Sequence, residues 1–462
     1  MRTRTGLLLL LLSPTLSAQA AWSLLYPPTS PPPRTGATMT CMGDDGSVLL
    51  FAGRLATILP LQPVDAWLLQ GNTWTQLSGP LPPAREGAAM AFDVRRGQVV
   101  MFGGLAPGGG ALGDTWTFRG NVWQQEAPGP AARCQHGMVY DPIRLTILMF
   151  GGGVPTSSQL SGTYHQDTWE WLGSSWNQVP SQANGPTARI HGLMAFDAVN
   201  GKVLLHGGAR RSSFSGGQDV TYTDTWLFDA NLLQWQQQFP SAVPPGRDGG
   251  AIAADLERGR VIVHGGLGAN DYPWEWNGQN WSLRVESCPS ARHSHTMVFD
   301  EPGHRLVMFG GENQGGATTD LWAFGSLSPT STTRYGAGCA GPAGTPQLDH
   351  VLFSYPWLGE TFESEVRRVP AGNTPVFFAT GFAQSAFDLT PIGMPGCWQH
   401  VAPLLSDLRI ASGGRATWSL VIPSHPAFVG LQLYQQALML APGANAAGVV
   451  ASNGLDIRVG SR

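Results

Sequence analysis

Two stretches of this 462-residue sequence collect side chains suited to holding a polar ligand. Gly153 to Gln166 carries Tyr164 and His165, and Ala209 to Thr223 carries Arg210, Arg211, Phe214, Asp219 and Tyr222. Aromatic faces, guanidinium donors and a carboxylate in one neighbourhood suit a sugar or a peptide. Arg133 and Arg189 open the segments that hold these stretches. They add donors able to take a carboxylate through paired hydrogen bonds. An arginine recurs at that place along the chain, however, so a role in the framework is the stronger expectation for them. His136, His191, His293 and His295 follow such arginines closely. Metal ligation needs such groups within about 2 Å of one ion, and the spacing does not impose that, so no metal is assigned. The sequence has no Ser/His/Asp motif, no phosphate-binding loop and no repeated Asp box, so no cofactor and no catalytic residue is assigned.

The composition narrows the partners. Charged residues are 13% of the chain, with 27 Lys+Arg against 31 Asp+Glu, and Lys202 is the only lysine. Without a basic excess there is no bulk electrostatic route to nucleic acid. Gly is 60 and Pro 36, yet 17 Trp and 42% hydrophobic residues argue for a packed, turn-rich all-β chain rather than a disordered one. The first twenty residues read as a cleaved leader: Arg2 and Arg4, then the apolar run Gly6 to Leu12, then Ala18-Gln19-Ala20. That run is too short to cross a bilayer and no later one reaches the length, so a secreted or periplasmic protein without a transmembrane segment is expected.

The elements that must position the candidate residues repeat. Arg34, Arg85, Arg133, Arg189, Arg247 and Arg292 are each followed, eighteen residues on, by a small pair: Ala52-Gly53, Gly103-Gly104, Gly151-Gly152, Gly207-Gly208, Gly265-Gly266 and Gly310-Gly311. Apolar runs such as Val99 to Phe102 lie between, and Asp93, Asp141, Asp197, Asp255 and Asp300 mark the turn of a hairpin of fixed length. Trp67, Trp116, Trp169, Trp226, Trp274 and Trp322 then mark a third strand, and Trp74, Trp123, Trp176, Trp235 and Trp281 a fourth. Asp usually stands two residues before the third-strand Trp; in the fifth unit Tyr272 takes that slot. Each unit of about 45 to 58 residues is thus expected to be one four-stranded antiparallel sheet.

The Arg, the Gly-Gly, the Asp-x-Trp and the final Trp resemble kelch repeats over about residues 22 to 324. The resemblance implies a kelch β-propeller of the galactose-oxidase-like central-domain superfamily. The sixth unit lacks a final Trp after Trp322, whereas Trp22 stands twelve residues before Arg34. Trp22-Ser23-Leu24-Leu25 is therefore expected to close a six-bladed ring over residues 21–325 by pairing with the strand of Trp322. Resembling propellers include copper radical oxidases of sugars, with a Tyr–Cys cross-link, and sugar epimerases. Neither Cys134 nor Cys288 has an evident Tyr partner by sequence.

Antiparallel strands send alternate connections to opposite faces. From the small pair to the third-strand Trp the gaps are 15, 13, 18, 19, 9 and 12 residues, while the other connections hardly vary. Variable length on a constant framework marks the ligand face. A linker at 326–333 leads to a β-rich module at 334–462, expected to be a small β-sandwich. Tyr335 to Cys339, Gly393 to Cys397 and Gln435 to Leu438 resemble a C-terminal module of secreted bacterial proteins. Cys339 and Cys397, the only cysteines there, are expected to form a disulfide. The functional expectation is an exported, non-catalytic binding scaffold for carbohydrate or protein. The alternative is a carbohydrate-active enzyme, of sugar oxidase or epimerase type, at the channel mouth.

Overall fold

In a computed structural model of the chain, residues 20–460 are described, except 44–45, 56–62, 156–161, 212–218, 269–271, 286–287, 302, 326–330, 352–353, 357 and 426–427. The leader and most of the linker therefore lie outside the described residues. The chain divides into two compact units, Ala21–Gly325 and one comprising Ser326–Arg462. Among the described residues there is no α-helix; the elements are strands, with short 3₁₀ turns such as Thr390–Ile392.

Among its described residues, Ala21–Gly325 holds six four-stranded antiparallel sheets. The third is Gly137–Asp141, Thr146–Phe150, Thr168–Trp171 and Trp176–Gln178, in chain order. The fourth is Leu193–Asp197, Lys202–His206, Thr225–Asp229 and Gln234–Gln238. Second strands such as Ser47–Phe51 and Thr146–Phe150 are buried along their whole length, which explains their unbroken apolar runs. The turn aspartates cap the first hairpins. Asp141 Oδ1 accepts from the Ile143 and Arg144 N–H groups, and Asp197 Oδ1 from those of Val199 and Asn200.

The sixth sheet takes its outer strand from the N-terminus. Ala21–Leu25 pairs with Leu321–Gly325, placing Trp22 opposite Phe324 and Leu24 opposite Trp322. Side-chain contacts agree with that assignment. In every sheet the residue before the small pair meets the final-strand Trp of the next: Phe51 with Trp123, Phe102 with Trp176, Phe150 with Trp235, His206 with Trp281, Phe309 with Trp74, and His264 with Trp22. Final-strand indoles also donate to the Thr preceding the third-strand Trp of the neighbouring sheet: Trp176 to Thr115, Trp235 to Thr168 and Trp281 to Thr225. Trp22, Trp74 and Trp123 have Pro273, Leu321 and Ala66 at that position, and their indole N–H groups find no acceptor among the described residues.

Backbone bonds run around the whole set. The second residue of each small pair donates to the carbonyl of the next opening arginine: Gly53 to Arg85, Gly104 to Arg133, Gly152 to Arg189, Gly208 to Arg247, Gly266 to Arg292 and Gly311 to Arg34. The residue two after each arginine has positive φ in all six units. Glycine supplies it at Gly36, Gly87 and Gly249, whereas Gln135, His191 and Ser294 adopt it at the steric cost of a Cβ.

In the unit containing Ser326–Arg462, five strands order as Ser331–Tyr335, Val449–Arg458, Gln432–Leu440, Pro375–Gly381 and Leu405–Ile410. A three-stranded sheet holds Gln347–His350, Thr361–Arg367 and Arg415–Val421. One core draws on both, with Phe362, Val366, Phe378, Met439 and Leu455 in it. Cys339 and Cys397 are joined by a disulfide in that core.

Candidate functional site

The opening arginines are the most deeply committed charges in Ala21–Gly325. In five units the guanidinium grips the Asp of Asp-x-Trp with both terminal nitrogens: Arg34 with Asp65, Arg85 with Asp114, Arg133 with Asp167, Arg189 with Asp224 and Arg292 with Asp320, all at 2.6–2.9 Å. The same carboxylate accepts from the indole of the third-strand Trp at 2.6–2.8 Å. Each arginine also donates to the carbonyl of the first residue of its small pair, which accounts for the fixed eighteen-residue interval. Arg133 and Arg189 are fully buried, so their guanidinium groups face internal carboxylates rather than an open place for an external one. Burial pushes the carboxyls of Asp114, Asp167, Asp224 and Asp320 up. The hydrogen bonds and charge of the arginine and the bond from the tryptophan outweigh it, leaving each below the ordinary value.

The two long connections are short hairpins above this framework. Gly153–Pro155 pairs with Gly162–Tyr164, and Ala209–Arg210 with Val220–Thr221. They bring several of the sequence-predicted residues together. The Tyr164 hydroxyl accepts from the Arg211 N–H and donates to the Arg211 carbonyl, each at 3.1 Å. The Arg210 guanidinium lies 5.8 Å from the Tyr164 ring centre. Arg211 Nη1 reaches Asp219 at 3.2 Å, and its Nη2 donates to Asp248. Asp248 is buried and also takes a hydrogen bond from His191 Nδ1 at 2.5 Å. A carboxylate can only accept, so Nδ1 carries the proton. Burial raises the Asp248 carboxyl, but His191 and Arg211 pull it below its usual range.

The Tyr222 ring centre lies 4.1 Å from the Arg189 guanidinium. Half-buried His165 lies on the Arg133 side. Burial, then the Arg133 charge, hold its imidazole below the ordinary value. Gln166 next to it lines a cleft of about 320 Å³ that runs past Gln178, Gln182 and Thr187 to Trp235. Phe214 lies outside the described residues. Sequence reading missed Asp248, the residue that fixes Arg211; of its counterparts Thr35, Glu86, Cys134, Ile190 and His293 only Glu86 is also a carboxylate, and it lies 3.5 Å from Arg54.

Among the described residues no group of three or more His, Cys, Asp or Glu is arranged to hold a metal ion. His136 and His206 are buried, and burial lowers each imidazole to about 3, so both stay neutral. Burial raises the Cys134 thiol to about 12, which leaves little thiolate for chemistry. Among the described residues no helix is long and apolar enough to cross a membrane.

Comparison with known proteins adds three findings. Residues 121–277 match the KLHDC2/KLHL20/DRC7 Kelch-repeats domain. A 96-residue stretch, 18% of this chain, is 35% identical to the tRNA wybutosine-synthesizing protein 4 of Emericella nidulans, and the match spans 8% of that protein's length. A solved structure titled "Structure of YjhT" aligns with a TM-score of 0.49 at 16% identity, covering 64% of this chain and 95% of that one. The repeat match over residues 121–277, with the all-β sheets that surround it, supports a kelch-repeat β-propeller.

Proposed function

We propose that the chain is exported by a leader cleaved after Ala20 and works as a non-catalytic binding scaffold. Its unit at residues 21–325 is read as a six-bladed propeller closed by the N-terminal strand, with a β-sandwich following it. The ligand, carbohydrate or protein, contacts the face of the variable connections. One observation carries the reading: the third, fourth and fifth units supply Tyr164, Arg211 and Asp248 to a single hydrogen-bonded cluster on that side. Asp248 and His191 brace Arg211, while Arg210 and Asp219 remain exposed beside it. A braced donor set binds at lower ordering cost than a free loop. Tyr164, His165, Arg210, Arg211, Phe214, Asp219 and Tyr222 are the proposed contact residues, with Arg133 and Arg189 as supports beneath them. The test is a screen of glycan and surface-protein arrays, followed by Arg210→Ala and Tyr222→Ala. Each is expected to weaken the ligand found by about tenfold or more, as a central interface residue does. Unchanged affinity in both variants removes the reading.

A further inference from the structure

The fifth unit breaks the arginine pattern. Arg247 is fully buried, and its Nη1 donates to the Gly265 carbonyl at 2.8 Å, the bond its five counterparts make. Among the described residues its Nη2 and Nε have no acceptor, and neither has the indole Nε1 of Trp274. In the other units one carboxylate serves both the arginine Nη2 and this indole, as Asp224 serves Arg189 and Trp226. The loss follows from one position: Tyr272 stands where that Asp would be. The Nε has lost a different partner, since the other five donate it to the carbonyl two residues upstream.

A buried guanidinium without a counter-charge costs several kcal/mol and cannot shed its proton at neutral pH. Burial lowers Arg247 only to about 10. Among the described residues, His206 and His295 act on it electrostatically, and both are neutral imidazoles held far below their usual range by burial. The Asp248 carboxylate next door is taken by Arg211 and His191. The place of the missing carboxylate opens outward, because the five aspartates that fill it elsewhere keep 10–27% of their side-chain surface exposed. Tyr272, 40% exposed, gives neither the Arg247 Nη2 nor the Trp274 indole an acceptor.

We propose that Arg247 and Trp274 form a seat for the carboxylate group of a small free acid. One oxygen takes the guanidinium Nη1 and the other takes Nη2 and the indole N–H, as the aspartate oxygens do in the five sibling units. A planar two-oxygen anion fits this donor set because the siblings bind one there. The seat lies beside the Arg211 cluster in sequence, but the inference does not depend on what that cluster binds.

The probe is acetate, titrated calorimetrically into the full mature chain at constant ionic strength, with chloride as the reference anion. One acetate per chain is expected. Tyr272→Asp, which installs the sibling carboxylate, should weaken acetate at least tenfold and raise the melting temperature. Trp274→Phe, which removes only the indole donor, should weaken acetate severalfold, and Asp271→Asn should leave it unchanged. Absence of saturable acetate binding overturns the proposal. So does equal binding by the wild type and both seat variants. Binding that emerges only in Asp271→Asn also overturns it, because the chain would then be supplying the carboxylate itself.

Discussion

Replacing Asp224 by Ala should be among the most damaging single changes in Ala21–Gly325. The carboxylate takes two hydrogen bonds from Arg189, at 2.6 and 2.8 Å, and one from Trp226 at 2.7 Å. Arg189 is fully buried, so the variant leaves a charge without a counter-ion. Removing one partner of a buried pair costs about 3–5 kcal/mol. Asp224 itself is 21% exposed. Water can therefore enter the vacated place, which puts the expected loss near the lower end, about 3 kcal/mol. At roughly 2 °C per kcal/mol for a unit of this size, the melting temperature should fall by about 6 °C. Thermal unfolding followed by tryptophan fluorescence reads this, with near-neutral buffer keeping the carboxylates ionised. Adding Arg189→Met to the variant removes the stranded charge and should recover much of the loss. If Asp224→Ala costs under about 1 kcal/mol, or the double variant is no more stable than the single, the arginine pairs do not hold the framework as argued.

Other expectations follow from the same contacts. Asp114, Asp167, Asp224 and Asp320 are held below the ordinary carboxylate value, so their contribution is present at neutral pH and is lost as pH falls through the depressed folded values, below about 4. His206 acts earlier. Its folded value is about 3, so below about 6.5 the unfolded chain takes a proton the folded chain refuses, at about 1.4 kcal/mol per pH unit. His206→Phe, which restores the residue seen at Phe102 and Phe150, should flatten the decline in stability between pH 6.5 and 4. Thr225→Val removes the hydroxyl that accepts from the Trp281 indole and shares a hydrogen bond with His206 Nδ1, and should cost about 1–3 kcal/mol by denaturant titration. Deleting residues 21–26 should lower the melting temperature and promote aggregation, because the strand Leu321–Gly325 loses its partner and becomes an open edge.

The repeat was legible because each of its marks does one physical job. The eighteen-residue interval is the reach of an arginine to a backbone carbonyl across its own hairpin, and Asp-x-Trp is a carboxylate shared by two donors. Trp22 could be matched to the sixth sheet because an unpaired final strand had to go somewhere. The left-handed residues were not legible: glycine announces them at Gly36, Gly87 and Gly249, but nothing in the types of Gln135, His191 or Ser294 does. The hairpins inside the long connections are only two or three residues per strand, too short for a period to show. Tyr164, Arg210, Arg211 and Asp219 could be picked by type, but their meeting point depended on Asp248, a position that is acidic in only one other unit, at Glu86, so the repeat does not mark it. The orphaned seat at Arg247 was visible in part, as Tyr272 in place of Asp; that it strands three donors needed the contacts.

The most direct test of the binding face is hydrogen exchange of the full mature chain, read by mass spectrometry with and without a ligand from the array screen. Exchange reports local opening, and ligand contacts slow it where they form. Slowing is expected at 162–166, 209–211 and 219–223, with 331–458 unaffected. Slowing confined to 331–458, with the two long connections unchanged, contradicts it and assigns recognition to the C-terminal unit.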